Sequence, residues 1–145
     1  MLTASKVIIN KPLKEVWDFF QDPENLKSWL GGFHRFEPVS GDRGEAGSKA
    51  KQYFFEKGKE LVLDEEITEV IPYKKFAGIL SSSMMTTSVV NYFMDLSNNK
   101  TEYSISSDTV FKSFFWRQIG PLMKGEFKKR QEADLQRMKQ VLEAR

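Results

Sequence analysis

Through most of the chain apolar positions alternate with polar ones, and helical spacing governs only a stretch after the first strand and the last third. Residues 2–10 contain the β-branched run Val7-Ile8-Ile9 ahead of Pro12, which predicts a short strand. Leu13, Val16, Trp17 and Phe20 then fall on one face of a helix over residues 12–20, with Pro12 suited to its first position. Asp22-Pro23-Glu24 marks a second helix start: a capping carboxylate, a proline and an acidic first turn. That helix carries Leu26 and Trp29 and stops at Gly31-Gly32. From residue 33 to residue 111 the period is that of strands, over 33–39, 48–56, 60–71, 75–82, 87–96 and 101–111. Asn98-Asn99 between two alternating runs predicts a hairpin, because Asn tolerates positive φ.

In the last third Met123, Phe127, Leu135, Met138 and Leu142 make one helical stripe, with Gln131 in the gap. Gly120-Pro121 predicts a kink or the first turn of that helix. The order is strand, two short helices, six strands and a long helix. A seven-stranded antiparallel sheet with one apolar face needs a cover, and the long helix is the only element large enough. The expected class is α+β, with the sheet curved around the C-terminal helix.

Composition narrows the chemistry. A chain of 145 residues fits one domain spanning residues 1–145. With 22 basic and 20 acidic side chains, the net charge of +2 gives no argument for nucleic acid or an anionic membrane. The absence of cysteine excludes disulfides and thiolate catalysis and fits a reducing cytoplasm, the expected location. One histidine and no cysteine argue against zinc and against a Ser-His-Asp triad around Ser81-Ser82-Ser83. No metal or cofactor is expected. The N-terminus lacks the pattern of a signal peptide, and no run approaches the length of a membrane span. Residues 41–49 are glycine-rich but lack the spacing of a phosphate-binding loop, so they read as a plain turn. The basic residues Lys124, Lys128, Lys129 and Arg130 are interleaved with Glu126, Glu132 and Asp134, as on a solvated helix face.

The order of elements and the stretch Val7-Ile8-Ile9-Asn10-Lys11-Pro12-Leu13-Lys14-Glu15-Val16-Trp17-Asp18-Phe19-Phe20-Gln21-Asp22-Pro23-Glu24, followed by Trp29, resemble the START-like (SRPBCC) superfamily, in particular its polyketide cyclase/dehydrase branch. Gly47 before a strand, Glu66-Ile67-Thr68-Glu69-Val70-Ile71-Pro72 closing another, and Leu135, Met138 and Leu142 extend the resemblance over nearly the whole chain. The resemblance implies a helix-grip fold with a cavity between sheet and helix. It carries no shared catalytic residue, and fold alone does not set function. Its implied partner is a small apolar molecule such as a lipid, an isoprenoid or a polyketide-like ring system. The readings to weigh are a carrier, a cyclase or dehydratase, and a protein-interaction module.

Alternation predicts the cavity lining. The expected set is Tyr53 and Phe55; Leu63, Glu65 and Ile67; Val90, Tyr92 and Met94; Tyr103 and Ile105; and, from the helical region, Phe115, Ile119, Met123 and Phe127. A core filled by these side chains is the alternative. Glu65 is the most informative member, because an inward carboxylate must be paired or protonated. It could orient a polar ligand atom or act as a base, unless a bulge turns it to water. Arg35 could pair with a ligand carboxylate, Glu37 or Glu65, and the lone His34 reads as surface. Trp116 could stand at an entrance, and Met84 and Met85 could line the cavity or meet a partner.

Overall fold

The β-branched run near the N-terminus forms β1 (Leu2–Ile9), in which Thr3, Val7 and Ile9 are buried while their alternates face water. The computed structural model describes every residue, Met1–Arg145. Pro12 directs the chain into α1 (Leu13–Gln21), which buries Val16, Trp17, Phe19 and Phe20. Asp22 then accepts a hydrogen bond from the backbone N–H of Glu24 at 3.0 Å, capping a 3-10 turn (Pro23–Asn25) that runs into α2 (Leu26–Trp29).

Six strands follow: β2 (Phe33–Ser40), β3 (Lys49–Glu56), β4 (Lys59–Ile71), β5 (Lys75–Ser81), β6 (Met85–Ser97) and β7 (Lys100–Phe111). They form one antiparallel meander in which β1 closes beside β7, in the order β1-β7-β6-β5-β4-β3-β2. The turns carry the φ values their sequences allow: Lys57 and Gly58 at 51° and 77°, Asn98 and Asn99 at 54° and 58°.

The C-terminal helix is broken where Gly120-Pro121 predicts. α3 (Phe114–Ile119) gives way to a 3-10 turn (Gly120–Met123) and then to α4 (Lys124–Glu143). Gly120 lies against the Phe111 ring; a Cβ there would come within 2.4 Å of it. The second half of α4 drives Leu135, Met138 and Leu142 into the core. Gln131, the polar gap in the stripe, is matched by the sheet: Ser5 Oγ donates to its Oε1 at 2.7 Å and its Nε2 donates to Ser107 Oγ at 3.2 Å. Lys139 donates to the free carbonyl of Ile8 at 2.6 Å and Lys128 to that of Ala4, so α4 also covers the exposed edge of β1.

Two strands face the other way from the sequence expectation. On β6 the inward residues are Val89, Asn91 and Phe93, whereas Val90, Tyr92 and Met94 lie on the outer face, with Tyr92 45% and Met94 56% exposed. The cause is a bulge. A plain two-residue turn at Asn98-Asn99 would pair Met94 with Tyr103, but a register shift between Asp95 and Ser97 pairs Phe93 with Tyr103 instead. On β3, Gln52 and Phe54 point inward, and Tyr53 and Phe55 point out. The two-residue Lys57-Gly58 turn pairs Glu56 with Lys59, which places Phe54 opposite Leu61 and Gln52 opposite Leu63.

Candidate functional site

The end of the grip near α1 is closed by a cluster of aromatic rings. Tyr103 is fully buried, stacked on Phe93 with ring centroids 5.1 Å apart and edge-on to Trp29. Its hydroxyl donates to Asn91 Oδ1 at 2.6 Å, and Asn91 Nδ2 donates to the carbonyl of Phe76 at 3.0 Å. Burial holds the Tyr103 phenol protonated, far above its ordinary range. This polar chain is internally satisfied and forms a floor.

Beyond the floor the sheet and helix separate. Inward-facing Leu61, Leu63, Leu80, Val89 and Ile105 are only half-buried, although alternation points them at the helix. Two chambers lie along β4. Glu65 and Ile67 line an inner one of about 90 Å³, beside Trp29, Arg43 and Gln52. Leu61 and Leu63 line an outer one of about 340 Å³, facing Phe111, Met123 and Phe127. Nine of the eleven residues around the outer chamber are apolar, and Met84, Met85 and Trp116 stand at its far side. A volume of this order suits a small organic molecule. A wider open groove of about 640 Å³ runs beside β1 and α4, but Lys6, Lys128, Glu132 and Gln136 line much of it, so it offers little dry surface.

Charge enters at the inner chamber. Glu65 points inward and is buried, with no bulge between it and Leu63 in the pairing with β3. Arg43 Nη1 donates to both of its oxygens, at 2.9 and 3.2 Å, and Gln52 Nε2 donates to Oε2 at 2.7 Å. The Arg43 guanidinium lies 4.9 Å from the Phe76 ring centroid and 5.5 Å from that of Phe36. Two donors here remain unpaired and buried: Arg43 Nε and Trp29 Nε1. No cluster of acidic or histidine side chains is arranged to hold a metal ion.

The model of the family described as polyketide cyclase/dehydrase and lipid transport matches residues 2–143. The chain belongs to that family. Among solved structures, the chain is similar to the Zhui aromatase/cyclase from Streptomyces sp. R1128, with a TM-score of 0.84 at 12% identity over 100% of this chain and 94% of that one. A conserved protein from Geobacillus kaustophilus gives 0.81 at 12% identity, covering 99% and 96%. A START superfamily protein from Mycobacterium smegmatis gives 0.79 at 12% identity, covering 99% and 97%. At these identities the likeness establishes the helix-grip fold. No curated protein matches the sequence.

Of the residues expected around a family cavity, Leu63, Met123 and Phe127 come together at the outer chamber, and Glu65, Ile67 and Ile105 at the inner one. Tyr103 is inward but sealed into the floor. Tyr53, Phe55, Val90, Tyr92 and Met94 lie on the opposite face of the sheet, for the register reasons above. Phe115 and Ile119 were expected against the sheet and are instead 61% and 38% exposed, because the break at Gly120-Pro121 turns α3 outward. Arg35 pairs with Glu37 at 3.1 Å and stacks on Tyr53, away from the cavity. His34 is exposed beside Phe55.

Arg43 and Gln52 were not anticipated. Arg43 sits in the glycine-rich segment read as a plain turn, and that turn folds back to deliver a guanidinium to Glu65. A buried carboxylate needs a cation and a further donor, and the arginine in this loop is the signal in the sequence that points to one. Gln52 was legible from the Lys57-Gly58 hairpin, which sets it two strand positions from Phe54 on the inward face.

Proposed function

We propose that the protein binds and carries a small, mostly hydrocarbon molecule bearing one polar group with hydrogen-bond acceptor oxygen. The hydrocarbon part occupies the outer chamber, and the polar group reaches toward Arg43 and Trp29. The observation that carries this reading is the pair of chambers lined by successive inward residues of β4: an apolar space of about 340 Å³ at Leu61 and Leu63, and a small one at Glu65 and Ile67 that is lined by a cation and two residues with unpaired buried donors. Burial of apolar surface would supply affinity, at about 25 cal/mol per Å². An acceptor meeting the Trp29 and Arg43 donors would fix which end enters first. The family's description, which includes lipid transport, supports the same reading.

A cyclase or dehydratase is the alternative, supported by the other half of that description and by the likeness to an aromatase/cyclase fold. It requires a group free to take a proton. Glu65 is the nearest candidate, yet both its oxygens are held by Arg43 and Gln52. The geometry therefore favours binding over turnover.

Titration with the fluorescent apolar probe anilinonaphthalene sulfonate tests the cavity. The expected result is one saturable site that Leu63→Trp abolishes and Met94→Trp, on the outer face, leaves intact. Probe binding that survives Leu63→Trp unchanged would overturn the assignment.

A further inference from the structure

The region around α3 departs from the rule that a short helix turns its apolar stripe to the core. Phe114 is 78% exposed, Phe115 61% and Leu122 81%, with Ile119 and Met123 less so. Phe115 and Ile119 lie one turn apart on α3, Phe114 begins the same helix, and Leu122 stands in the 3-10 turn that follows. Four large apolar side chains, Phe114, Phe115, Ile119 and Leu122, thus face solvent on one short segment, with Met123 turning to the outer chamber; single exposed residues would be unremarkable. No fold requirement explains them: Gly120 and Trp116 make the inward contacts of this segment, against Phe111 and at the outer chamber.

Along the tip segment itself the charges have one sign, the nearest carboxylates in sequence being Asp108 and Glu126 beyond its ends. Between Thr109 and Gly125 the chain carries Lys112, Arg117 and Lys124 and no carboxylate. All three cations are exposed. Lys112 and Arg117 are anchored by donating to the carbonyls of Ser82 and Phe111, at 2.6 and 3.3 Å, and Lys124 forms no ion pair. The whole chain is nearly neutral, but this local balance differs from the mixed charge of α4, whose Lys128, Lys139 and Arg130 pair with Glu132, Glu143 and Glu56.

We infer that this tip docks the protein onto an anionic lipid bilayer, with Phe114, Phe115 and Leu122 entering the interface and Lys112, Arg117 and Lys124 lying among the headgroups. Aromatic and leucine side chains on one face, ringed by cations, are what such an interface takes up. The inference stands on the tip alone, whatever the cavity holds. Where the carrier reading holds as well, docking brings Trp116 and Met123, at the outer chamber, to the membrane surface.

Co-sedimentation with vesicles of phosphatidylcholine containing about one-third phosphatidylglycerol tests it, since anionic lipid supplies the attraction. Trp116 adds an internal reporter, because Trp17 and Trp29 are 6% and 3% exposed while Trp116 is only half-buried. The expected result is binding to the anionic vesicles with a blue shift of tryptophan emission. Binding should be weak to pure phosphatidylcholine and weakened at about 1 M salt, where the Debye length is roughly 3 Å. Phe114→Ser with Leu122→Ser should reduce it at least about tenfold, given the apolar area removed. Both sites are exposed, so the variant keeps its fold, which circular dichroism verifies. Leu63→Trp should bind vesicles normally, which separates failure of docking from failure of the carrier reading. No binding to anionic vesicles, equal binding by the serine variant, or a dimer in solution that this variant dissolves would each overturn the inference.

Discussion

At the scale of single residues, the Arg43–Glu65 pair is the most consequential feature of the interior. Arg43 and Glu65 side chains are 11% and 8% exposed, so each charge depends on the other to offset its lost hydration. Removing one partner leaves an uncompensated charge, at about 3–5 kcal/mol, whereas replacing both by apolar groups is close to neutral. Arg43→Met alone is therefore expected to destabilise the protein by about 3 kcal/mol or more, and Arg43→Met with Glu65→Leu to recover most of that loss. Urea denaturation of the two single variants and the double variant measures the coupling. Additive effects would mean that the pair does not act as a unit. The same pair explains why so polar a group is tolerated beside Ile67 and Phe76. Its hydrogen bonds leave Arg43 Nε spare, and that spare donor gives the inner chamber its polarity.

Elements succeed or fail in the sequence according to how register is set. The strand boundaries, the two small helices and the break at Gly120-Pro121 were legible, because proline, glycine and alternation act locally. The face of β4 was legible too, since Val62 is the one apolar residue among the alternates Glu60, Val62, Asp64, Glu66 and Thr68. β6 carries apolar residues on both faces, so alternation cannot choose between Phe93 and Met94, and a single bulge near Leu96 decides. β3 has the run Tyr53-Phe54-Phe55 and the same ambiguity, but its short hairpin to β4 would have resolved it. Arg43 was hidden because loop conformation is not written in periodicity. One contact between elements also makes a pH-dependent prediction. Asp134 on α4 accepts the backbone N–H of Gly31, just after α2, at 3.0 Å, and Arg137 donates to the carbonyl of Trp29 at 3.0 Å. Burial raises the Asp134 carboxyl above its ordinary 3.8, with the Gly31 N–H and Arg137 opposing the shift only in part. Between 3.8 and the raised value, the folded state binds more protons than the unfolded one, so this group's contribution falls as pH rises through that window. Asp134→Asn keeps an acceptor for Gly31 and does not titrate. The stability of the natural protein relative to this variant should therefore decline as pH rises from below 3.8 through the raised value. Urea denaturation across the range checks it, and a rising difference would contradict the sign.

For the whole molecule, the question is whether the grip between sheet and helix is a cavity or a loosely drawn core. A well-packed interior resists added volume: a larger side chain forces strained rotamers and costs about 1–3 kcal/mol. A standing cavity responds the other way, and filling it commonly adds about 0.5–2 kcal/mol. The half-buried state of Leu61, Leu63, Leu80, Val89 and Ile105, in strands that also carry sealed inward residues such as Ile67, Phe76, Phe93 and Tyr103, favours the second case. Leu63→Trp in the ligand-free protein is accordingly expected to leave stability unchanged or raise it, while abolishing uptake of an apolar probe. Thermal unfolding and probe titration on the same samples read both effects. Phe93→Trp supplies the contrast, because Phe93 is 4% exposed and sits between Trp17, Phe20 and Tyr103, where added volume must destabilise. Loss of stability in Leu63→Trp comparable to that in Phe93→Trp would show the outer chamber to be packed core. Opposite signs at the two positions would mean that this fold closes one end of its interior tightly and holds the other open, giving up packing energy that only a bound molecule could restore.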